Sequence, residues 1–444
     1  MNVDVLVVGA GPAGLTAAAE LRHLGVGSVL VADREAEPGG IPRHSWHTGY
    51  GLRDLRRVMT GPAYARALTG AVLTAGVSLR LGTTATGWSA VPDRRGGYAV
   101  RLVSERGLET VQAAAVLLAT GCRERPRAAR LVPGDRPAGV MTTGELQQRV
   151  YLGGERVPGR ALVVGAEHVS FSAAVTLAHA GARVVALVTE QERQQSYAAF
   201  RLGAALRWRV PVWTWTAVRR VAGHGRLAGV DVADVRTGAT RFVPCDTLVF
   251  SGDWIPDHEL ARMAGLVMDP GTRGPAVDTT LATSAAGVFA AGNLVHAAET
   301  ADIAALSGRH AARHVAAALR ARPTRPGRPG AGQAGAGRSG AGRVPVLAEA
   351  PLRWISPNAI TATAGRPAVP PPLGRFVLRS LEFRQLARLE VRQDDRFLAR
   401  SRPVRLIPGR PAHLGSGWLS RVDPAGGPVR VAVSAQAGPL LMIT

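Results

Sequence analysis

The chain has 444 residues, 46% of them hydrophobic, which is enough for about two or three domains with separate cores. No apolar run approaches the roughly 18 to 20 residues of a membrane span, and the only two cysteines, Cys122 and Cys245, form no C-x-x-C pair, so we expect a cytoplasmic protein without a disulfide framework. The formal net charge is +22, but the arginines are scattered and no nucleic-acid-binding motif accompanies them, so we expect no specific nucleic-acid partner; an acidic protein or a phosphorylated ligand remains open.

The first predicted elements are a strand over residues 3–8, a glycine-rich loop and an alanine-rich helix. The loop reads Gly9-Ala10-Gly11-Pro12-Ala13-Gly14. In such a G-x-G-x-x-G loop the first glycine allows a tight turn, the second lets the backbone approach a pyrophosphate, and the third lets the helix pack closely on the strand. The free N–H groups at the helix N-terminus then face the phosphates. This arrangement predicts a dinucleotide-binding unit.

A second predicted strand, residues 28–32, ends at Asp33, about 20 residues beyond the loop. A carboxylate at this place can accept hydrogen bonds from ribose hydroxyls. We therefore assign Asp33 and its neighbour Arg34 to the same nucleotide site.

The next loop, residues 39–50, carries Gly40, two histidines and a serine. His44 and His47 are candidates to exchange a proton with a substrate or cofactor, because imidazole titrates near neutral pH. The alternative is that both histidines are structural loop residues bonded to backbone. Ser45 has no thiolate, so it cannot form a mixed disulfide.

Two later apolar strands end in short motifs, Ala119-Thr120-Gly121 and Gly292-Asn293. With the N-terminal loop, these segments resemble the pyridine nucleotide-disulfide oxidoreductase superfamily over residues 1 to about 320. The resemblance implies that the three motifs hold FAD. It implies that Asn293, where the family usually has Asp, bonds the ribitol chain, and that a helix beginning near Thr300 and Ala301 directs its N-terminal amides at the flavin pyrimidine.

A second nucleotide motif lies where the family inserts its NAD(P) domain. A strand over residues 160–164 is followed by Gly165-Ala166-Glu167-His168-Val169-Ser170, and Glu190 follows the next strand as a ribose acceptor would. Glu167 holds the pyrophosphate position, where its charge and bulk oppose a dinucleotide unless Arg193 offsets the charge. The candidate NAD(P) residues are Gly165, Glu167, His168 and Glu190. The alternative is a retained scaffold domain that docks a partner or shields the flavin.

The remaining chain differs in composition. Residues 321–345 are rich in Gly, Pro and Arg and predict a flexible linker, and residues 346–444 contain short alternating runs that predict a small β-rich module for partner docking. No metal-ligand cluster is recognised. The expected fold class is α/β with two Rossmann-like dinucleotide-binding domains: a discontinuous FAD domain (1–125 and 275–320), an inserted NAD(P)-type domain (126–274) and the β-rich module.

The loop at residues 39–52 resembles a more specific group within this superfamily. It is similar to the FAD/NAD subunits that accompany anaerobic glycerol-3-phosphate dehydrogenase-type enzymes, and to the flavin subunits of opine and hydrogen cyanide-forming dehydrogenases. In that group a cysteine commonly stands where Ser45 stands here, with a histidine at the position of His47. The candidate catalytic residues are His44, Ser45 and His47.

The resemblance implies an FAD-dependent oxidoreductase, with NAD(P) use left open, that forms one subunit of a dehydrogenase complex, a hetero-oligomer. It would pass hydride or electrons between a small organic substrate, or a partner subunit, and NAD(P) or another acceptor. The alternative is a flavin-binding scaffold with no turnover of its own.

Overall fold

The computed structural model describes residues 1–89, 91–93, 96–196, 210–322, 341–363 and 367–434. Most of the predicted linker, residues 323–340, lies outside this part of the chain. The described residues form helix-covered sheets followed by a β-rich module, and this confirms the predicted fold class.

The N-terminal segment builds most of the first sheet and the helices that cover it. The apolar run of residues 3–8 forms the central strand, and the alanine-rich segment after the glycine loop forms a helix with eight buried residues. The elements in chain order are β1 (Asn2–Val8), α1 (Pro12–His23), β2 (Val29–Ala32), β3 (Thr48–Tyr50), β4 (Met59–Thr60), α2 (Gly61–Thr74), β5 (Ser78–Arg80), β6 (Thr84–Trp88), β7 (Tyr98–Ser104), β8 (Gly107–Leu118) and β9 (Cys122–Glu124).

The middle of the chain builds a second parallel sheet. Its elements are β10 (Val140–Thr142), α3 (Thr143–Gln147), β11 (Gly159–Val164), α4 (His168–His179), β12 (Ala182–Val188), β13 (Val212–Trp213), β14 (Thr216–Ala222), β15 (Gly229–Asp234), β16 (Thr240–Pro244), β17 (Thr247–Phe250), β18 (Trp254–Pro256) and α5 (Glu259–Met263). The parallel strand order is β10-β17-β11-β12-β13, and β14-β15-β16 form an antiparallel sheet beside it. One segment leads from the first sheet to this one and another leads back, and the two run side by side because β9 in the first segment pairs with β18 in the second.

The chain then returns to the first sheet through β19 (Val288–Ala290) and α6 (Ala301–Arg320). The first sheet has the order β5-β2-β1-β8-β7-β6, and β19 pairs with β8 in parallel. The carboxyl ends of β1, β2, β8 and β19 therefore meet at one edge, which is where ligands bind in open α/β sheets. Among the described residues, no helix has the length and apolar character needed to cross a bilayer.

The C-terminal module has its own apolar core, in which Phe376 stacks on Trp418 with ring centroids 5.2 Å apart. Its described residues form three sheets, ordered β22-β20-β29-β25-β26, β21-β23-β28 and β24-β27 in the numbering that follows. Its strands are β20 (Ala341–Ala348), β21 (Leu352–Ser356), β22 (Ala359–Thr363), β23 (Arg375–Ser380), β24 (Arg384–Ala387), β25 (Leu389–Gln393), β26 (Arg396–Arg400), β27 (Val404–Leu406), β28 (Ala412–Gly415) and β29 (Val429–Val433). The first of these strands begins inside the range predicted as linker.

The module is docked on the first unit through polar contacts. The Asn358 side chain accepts a hydrogen bond from Val277 N–H at 3.1 Å and donates one to Asp269 Oδ2 at 3.1 Å. Arg343 donates to the Thr283 carbonyl at 3.1 Å. The β-rich module is therefore held against the nucleotide-binding units.

The first prediction concerns the packing of α6 on α1. A Cβ built on Gly308 would lie 2.0 Å from the Ala13 carbonyl oxygen. Gly308→Ala should therefore force the helices apart and lower the free energy of unfolding by about 1–3 kcal/mol. The matched control is Gly70→Ala at an exposed position of helix α2, where a Cβ meets nothing within 4 Å, and a gain of up to about 1 kcal/mol is expected. Denaturant unfolding of both variants checks this; equal effects would contradict the close packing.

Candidate functional site

The N-terminal glycine loop has the geometry that its sequence predicts. Gly9 has φ +110°, and a Cβ there would lie 2.4 Å from the Ala119 carbonyl oxygen. A Cβ on Gly14 would lie 1.9 Å from the Gly9 oxygen, so the helix start packs against the turn. A Cβ on Gly11 would meet no atom within 4 Å, and no side chain caps the N-terminus of α1 at this residue. The start of α1 is thus uncapped by side chains, and the space beside Gly11 is open.

Asp33 connects the end of β2 to this loop. Its Oδ2 accepts a hydrogen bond from Ala10 N–H, and its Oδ1 accepts one from Glu35 N–H at 2.8 Å. Each carboxylate oxygen has a second lone pair, so a ribose hydroxyl can still donate to Asp33. Arg34 is exposed and lies 3.5 Å from Asp257 Oδ2. The structure thus places Asp33 beside the glycine loop and turns Arg34 toward the chain that follows β18.

The ends of β8 and β19 contribute the other two predicted motifs. Thr120 Oγ1 donates to the Asp257 carbonyl at 2.7 Å, and Gly121 adopts φ +79°. Gly292 adopts φ +70°, and a Cβ there would lie 2.7 Å from Ala13 Cβ. All three motifs therefore meet at one sheet edge.

The Asn293 side chain has a role that the sequence does not reveal. Its Nδ2 donates to the Glu299 carbonyl at 3.0 Å, and its Oδ1 accepts from Glu299 N–H at 2.9 Å. These bonds fix the turn that leads into α6. The predicted contact with the ribitol chain would use the second lone pair of the same oxygen.

The loop at residues 39–50 lies directly beside the glycine loop. A Cβ built on Gly40 would lie 3.0 Å from Gly11 Cα. Residues 41–44 form a short 3-10 helix, and a Cβ on Gly61 would lie 2.2 Å from the Ser45 carbonyl oxygen, so the loop is packed on the N-terminus of α2. Ser45 is only 3% exposed.

The two candidate histidines have different surroundings. His44 is 3% exposed, and burial together with the charge of Arg43 lowers its pKa to about 4. His44 is therefore neutral at physiological pH, and the titration near neutrality expected from the sequence is wrong for this residue. His47 is half-buried; its Nδ1 lies 2.9 Å from the Thr48 carbonyl oxygen, and its ring stacks on Tyr50. His47 thus remains the candidate for proton exchange.

Sequence reasoning missed the residues that tie this loop to α6. Thr300 is the N-cap residue of α6, where no side chain caps the helix, and Ala301 begins it. Asp302 is buried in the first turn and accepts hydrogen bonds from the backbone and the guanidinium of Arg53 at 3.3 and 3.5 Å. An acidic residue in the first turn of a predicted helix was the one available signal, whereas the pairing with Arg53 spans 249 residues.

The second glycine loop differs from the first at the helix N-terminus. Gly165 adopts φ +131°, but Glu167 is the N-cap residue of α4, and its backbone carbonyl accepts a hydrogen bond from Ser170 N–H at 3.1 Å. In return, Ser170 Oγ accepts one from Glu167 N–H at 3.2 Å. N–H groups that would face a pyrophosphate are here bonded within the chain. Glu190 is exposed beyond the end of β12.

The surroundings of Glu167 correct one expectation. Burial raises the pKa of its carboxyl, and the cations that oppose this effect are Arg379 of the C-terminal module and Arg130. Arg193 does not have that role: it pairs with Glu192 and lies over the Phe383 ring at 4.8 Å. The local sequence around Arg379 and Arg130 gives no signal for this role.

Neither cysteine is a reactive thiol. Burial raises the pKa of Cys122, an effect reinforced by Asp257, and burial raises the pKa of Cys245 to about 12. Both are free and protonated at neutral pH. Among the described residues, no group of His, Cys, Asp or Glu is arranged to hold a metal ion.

Comparison with known proteins places the chain in a family. The family model for pyridine nucleotide-disulphide oxidoreductases matches residues 3–314. The chain belongs to this family. Its members bind FAD and NAD(P), and the chain is accordingly a flavin-dependent oxidoreductase with FAD as its cofactor. The N-terminal site fits this cofactor, because the loop at Gly11 is open and its helix amides are uncapped by side chains.

Two curated relatives and one solved structure illustrate the likeness. An opine oxidase subunit from Agrobacterium tumefaciens (strain Ach5) is 28% identical over 336 residues, which cover 70% of this chain and 64% of the relative. The benzene 1,2-dioxygenase system ferredoxin–NAD(+) reductase subunit from Pseudomonas putida is 32% identical over 200 residues, covering 44% and 46%. The chain therefore covers less than two thirds of each of these relatives. The T. acidophilum thioredoxin reductase structure matches with a TM-score of 0.61 and 21% identity over 71% of this chain and 98% of that one, which shows the fold alone.

The second prediction tests the cofactor loop. Gly11→Val should leave the fold unchanged, because φ at Gly11 is −78° and a Cβ there meets nothing within 4 Å. The variant should lose FAD, because the side chain would take the space of the pyrophosphate. Flavin absorbance per protein after gel filtration, with circular dichroism as the control for folding, checks this. A folded variant with a full complement of FAD would show that the cofactor does not lie on this loop.

The third prediction uses the low pKa of His44. The folded-state pKa is about 4 and the ordinary value is 6.5, so the stability contributed by the neutral imidazole is complete above pH 6.5 and is lost as the pH falls toward 4. Over this interval, the free energy of unfolding of His44→Gln should fall by roughly 3 kcal/mol less than that of the wild type. Urea unfolding of both proteins across the interval measures the difference. Parallel curves would mean that His44 is not buried in the neutral form.

Proposed function

We propose that this chain is an FAD-dependent subunit that passes hydride or electrons between a small organic substrate, or a partner subunit, and a separate acceptor, through the flavin itself and without a thiol relay. FAD supplies the hydride and electron chemistry when bound. The chain's own residues supply position, charge and proton exchange.

One observation carries the proposal: a serine occupies the loop next to the glycine loop. Gly40 approaches Gly11 Cα closely, and the same loop continues into buried Ser45. Neither cysteine of the sequence lies in this loop, and both are protonated at neutral pH. No residue there can carry electrons as a thiolate, which supports direct exchange with the flavin.

Two features of the site support specific roles. The N-terminus of α6 has no side-chain cap at Thr300, and the Asp302 carboxylate accepts the Ile303 N–H, so the remaining amides and the positive dipole end would stabilise negative charge on the flavin pyrimidine. His47 keeps one ring nitrogen available when the other is bonded to the Thr48 carbonyl. We assign to His47 the exchange of a proton with the substrate or with flavin N5.

The names of the relatives support the proposal of a partner. The opine oxidase relative and the reductase of the benzene 1,2-dioxygenase system are both named as subunits of larger systems. We propose a hetero-oligomer for this chain as well, and the +22 net charge favours an acidic partner protein. Two free cysteines favour a reducing compartment such as the cytoplasm.

The fourth prediction tests flavin-direct transfer. The FAD of the purified protein is photoreduced without oxygen and then mixed with ferricenium, a one-electron acceptor, or with the disulfide DTNB. Prompt re-oxidation by ferricenium and none by DTNB is expected. Turnover of DTNB would contradict the proposal, because it requires a thiol relay or an equivalent path. No re-oxidation by ferricenium would favour a scaffold without turnover.

The same assay tests His47. His47→Gln should slow re-oxidation by a two-electron quinone acceptor about tenfold or more, because general acid–base groups contribute on that scale or above. The matched control is His23→Gln on the exposed end of α1, for which an unchanged rate is expected. Equal rates in both variants would assign His47 to a purely structural role.

A further inference from the structure

The second dinucleotide groove lies between the loop at residues 165–170 and the end of β12, because such a unit places the pyrophosphate at the helix N-terminus and the ribose beyond the next strand. The segment that follows β12 folds back into this groove. Gln195 N–H donates to the Ala166 carbonyl at 2.9 Å, and Ser196 Oγ lies 2.7 Å from His168 Nδ1. Gln195 and Ser196 are only 9% and 4% exposed. The chain's own backbone thus fills the groove.

The C-terminal module covers the same segment from outside. The Arg193 guanidinium lies 4.8 Å from the centre of the Phe383 ring of the module. A Cβ built on Gly409, which has φ +80°, would lie 3.3 Å from Gln195 Cδ, so the turn at Gly409 rests on the Gln195 side chain. The module therefore contacts this segment at two separate points.

The module also brings charge to the glycine loop. Arg379 of β23 is the cation with the largest effect on Glu167, and Arg410 places a further positive charge near His168. The Arg379 Nε is buried with no hydrogen-bond partner among the described residues, and its guanidinium lies 5.7 Å from the Trp354 ring centre. A buried carboxylate needs a counter-charge of this kind. Undocking the module would remove Arg379, so that Arg130 would be the remaining one of these two cations near Glu167.

We propose that the C-terminal module closes the second dinucleotide groove, so that NAD(P)H does not bind there while the module is docked. The inference deepens the proposed function, on which it rests for the role of the flavin, because it directs electrons to a partner or substrate and away from NAD(P). A dinucleotide could enter only after three changes. The module must undock, the segment of residues 191–196 must leave the groove, and the Glu167 side chain must move away from the N-terminus of α4.

Closure by the module and exclusion by Glu167 alone predict different results for variants at the second groove. If Glu167 alone excluded the dinucleotide, Glu167→Gly would be sufficient to create a site. If the module closes the groove, Glu167→Gly alone still binds no NADH, because residues 191–196 and the module remain in place. Binding should then need Glu167→Gly together with Arg193→Ala and Phe383→Ala, which remove one of the two contacts between the segment and the module and so weaken the closure.

The experiment uses the full FAD-loaded chain and two measurements. Hydrogen exchange followed by mass spectrometry reports the protection of residues 191–196, where the Gln195 amide is bonded. Calorimetry with NADH and with NADPH at about 1 mM detects binding with a dissociation constant of roughly 1 mM or lower. The matched control is Phe397→Ala, which removes an exposed phenylalanine of the same module that lies over Arg400. The flavin spectrum and circular dichroism confirm that each variant is folded.

The expected results are no nucleotide binding by the wild type or Glu167→Gly, and about tenfold faster exchange at residues 191–196 in Arg193→Ala/Phe383→Ala than in Phe397→Ala. The triple variant should bind NADH at least tenfold more tightly than the wild type. Tight binding by the wild type, or by Glu167→Gly alone, would overturn the closure. So would unchanged exchange in the double variant, or a triple variant that exchanges quickly yet binds no nucleotide. These results are independent of the re-oxidation assay, so a failure of the closure can be told apart from a failure of the proposed function.

Discussion

The N–H groups in the first turn of a helix have no partner within the helix and must be satisfied by a side chain, a ligand or water. The two glycine loops of this protein meet that requirement differently. At α1 the N-cap residue is Gly11, no side chain caps the helix, and the space in front of it is open. At α4 the N-cap residue is Glu167, whose backbone N–H is bonded to Ser170 Oγ and whose side chain is buried. The start of α1 can therefore accept a phosphate, whereas a buried carboxyl group belongs to the N-cap residue of α4.

This difference has consequences for the whole chain. Because Glu167 is buried, it needs positive charge, which comes from Arg130 within the second unit and from Arg379 of the C-terminal module. The guanidinium of Arg130 also donates to the Ser251 and Gly252 carbonyls at 3.0 and 2.7 Å, beside the carboxylate. A Cβ on Gly252 would lie 1.8 Å from Glu167 Oε1, so the end of β17 is shaped around this side chain. The glutamate in this glycine loop is thus accommodated by three segments distant in the sequence, which contain Arg130, Gly252 and Arg379.

The first site depends on contacts of the same long range. The loop that carries Ser45 and His47 is fixed at one end by the approach of Gly40 to Gly11. At its other end, Arg53 bonds Asp302 at the start of α6. Burial lowers the pKa of His44, at the centre of the loop, the side chain of Gln147 of the second unit partly opposes this effect, and the imidazole is neutral at physiological pH. The position of the second unit therefore influences a histidine of the first site.

The sequence by itself determined the fold class, the family, the FAD cofactor and the strands and helices around the three nucleotide motifs. It could do so because these features depend on local rules: an apolar strand, glycines at fixed spacing and a helix that begins at once. The loop at residues 39–50 was also recognised, since the serine and the histidines are visible in the sequence, and so was the β character of the module, since short alternating runs and turn residues predict strands.

Only the tertiary structure decided how these parts act on one another. The ionisation of His44 depends on burial against a separate unit, and the counter-charge of Glu167 comes from Arg379, more than two hundred residues later, not from nearby Arg193 as the sequence suggested. The docking of the module over residues 191–196 depends on Phe383 and Gly409, which follow no motif. Burial and charge are properties of the packed chain, and no local pattern encodes which distant side chains will surround a given group.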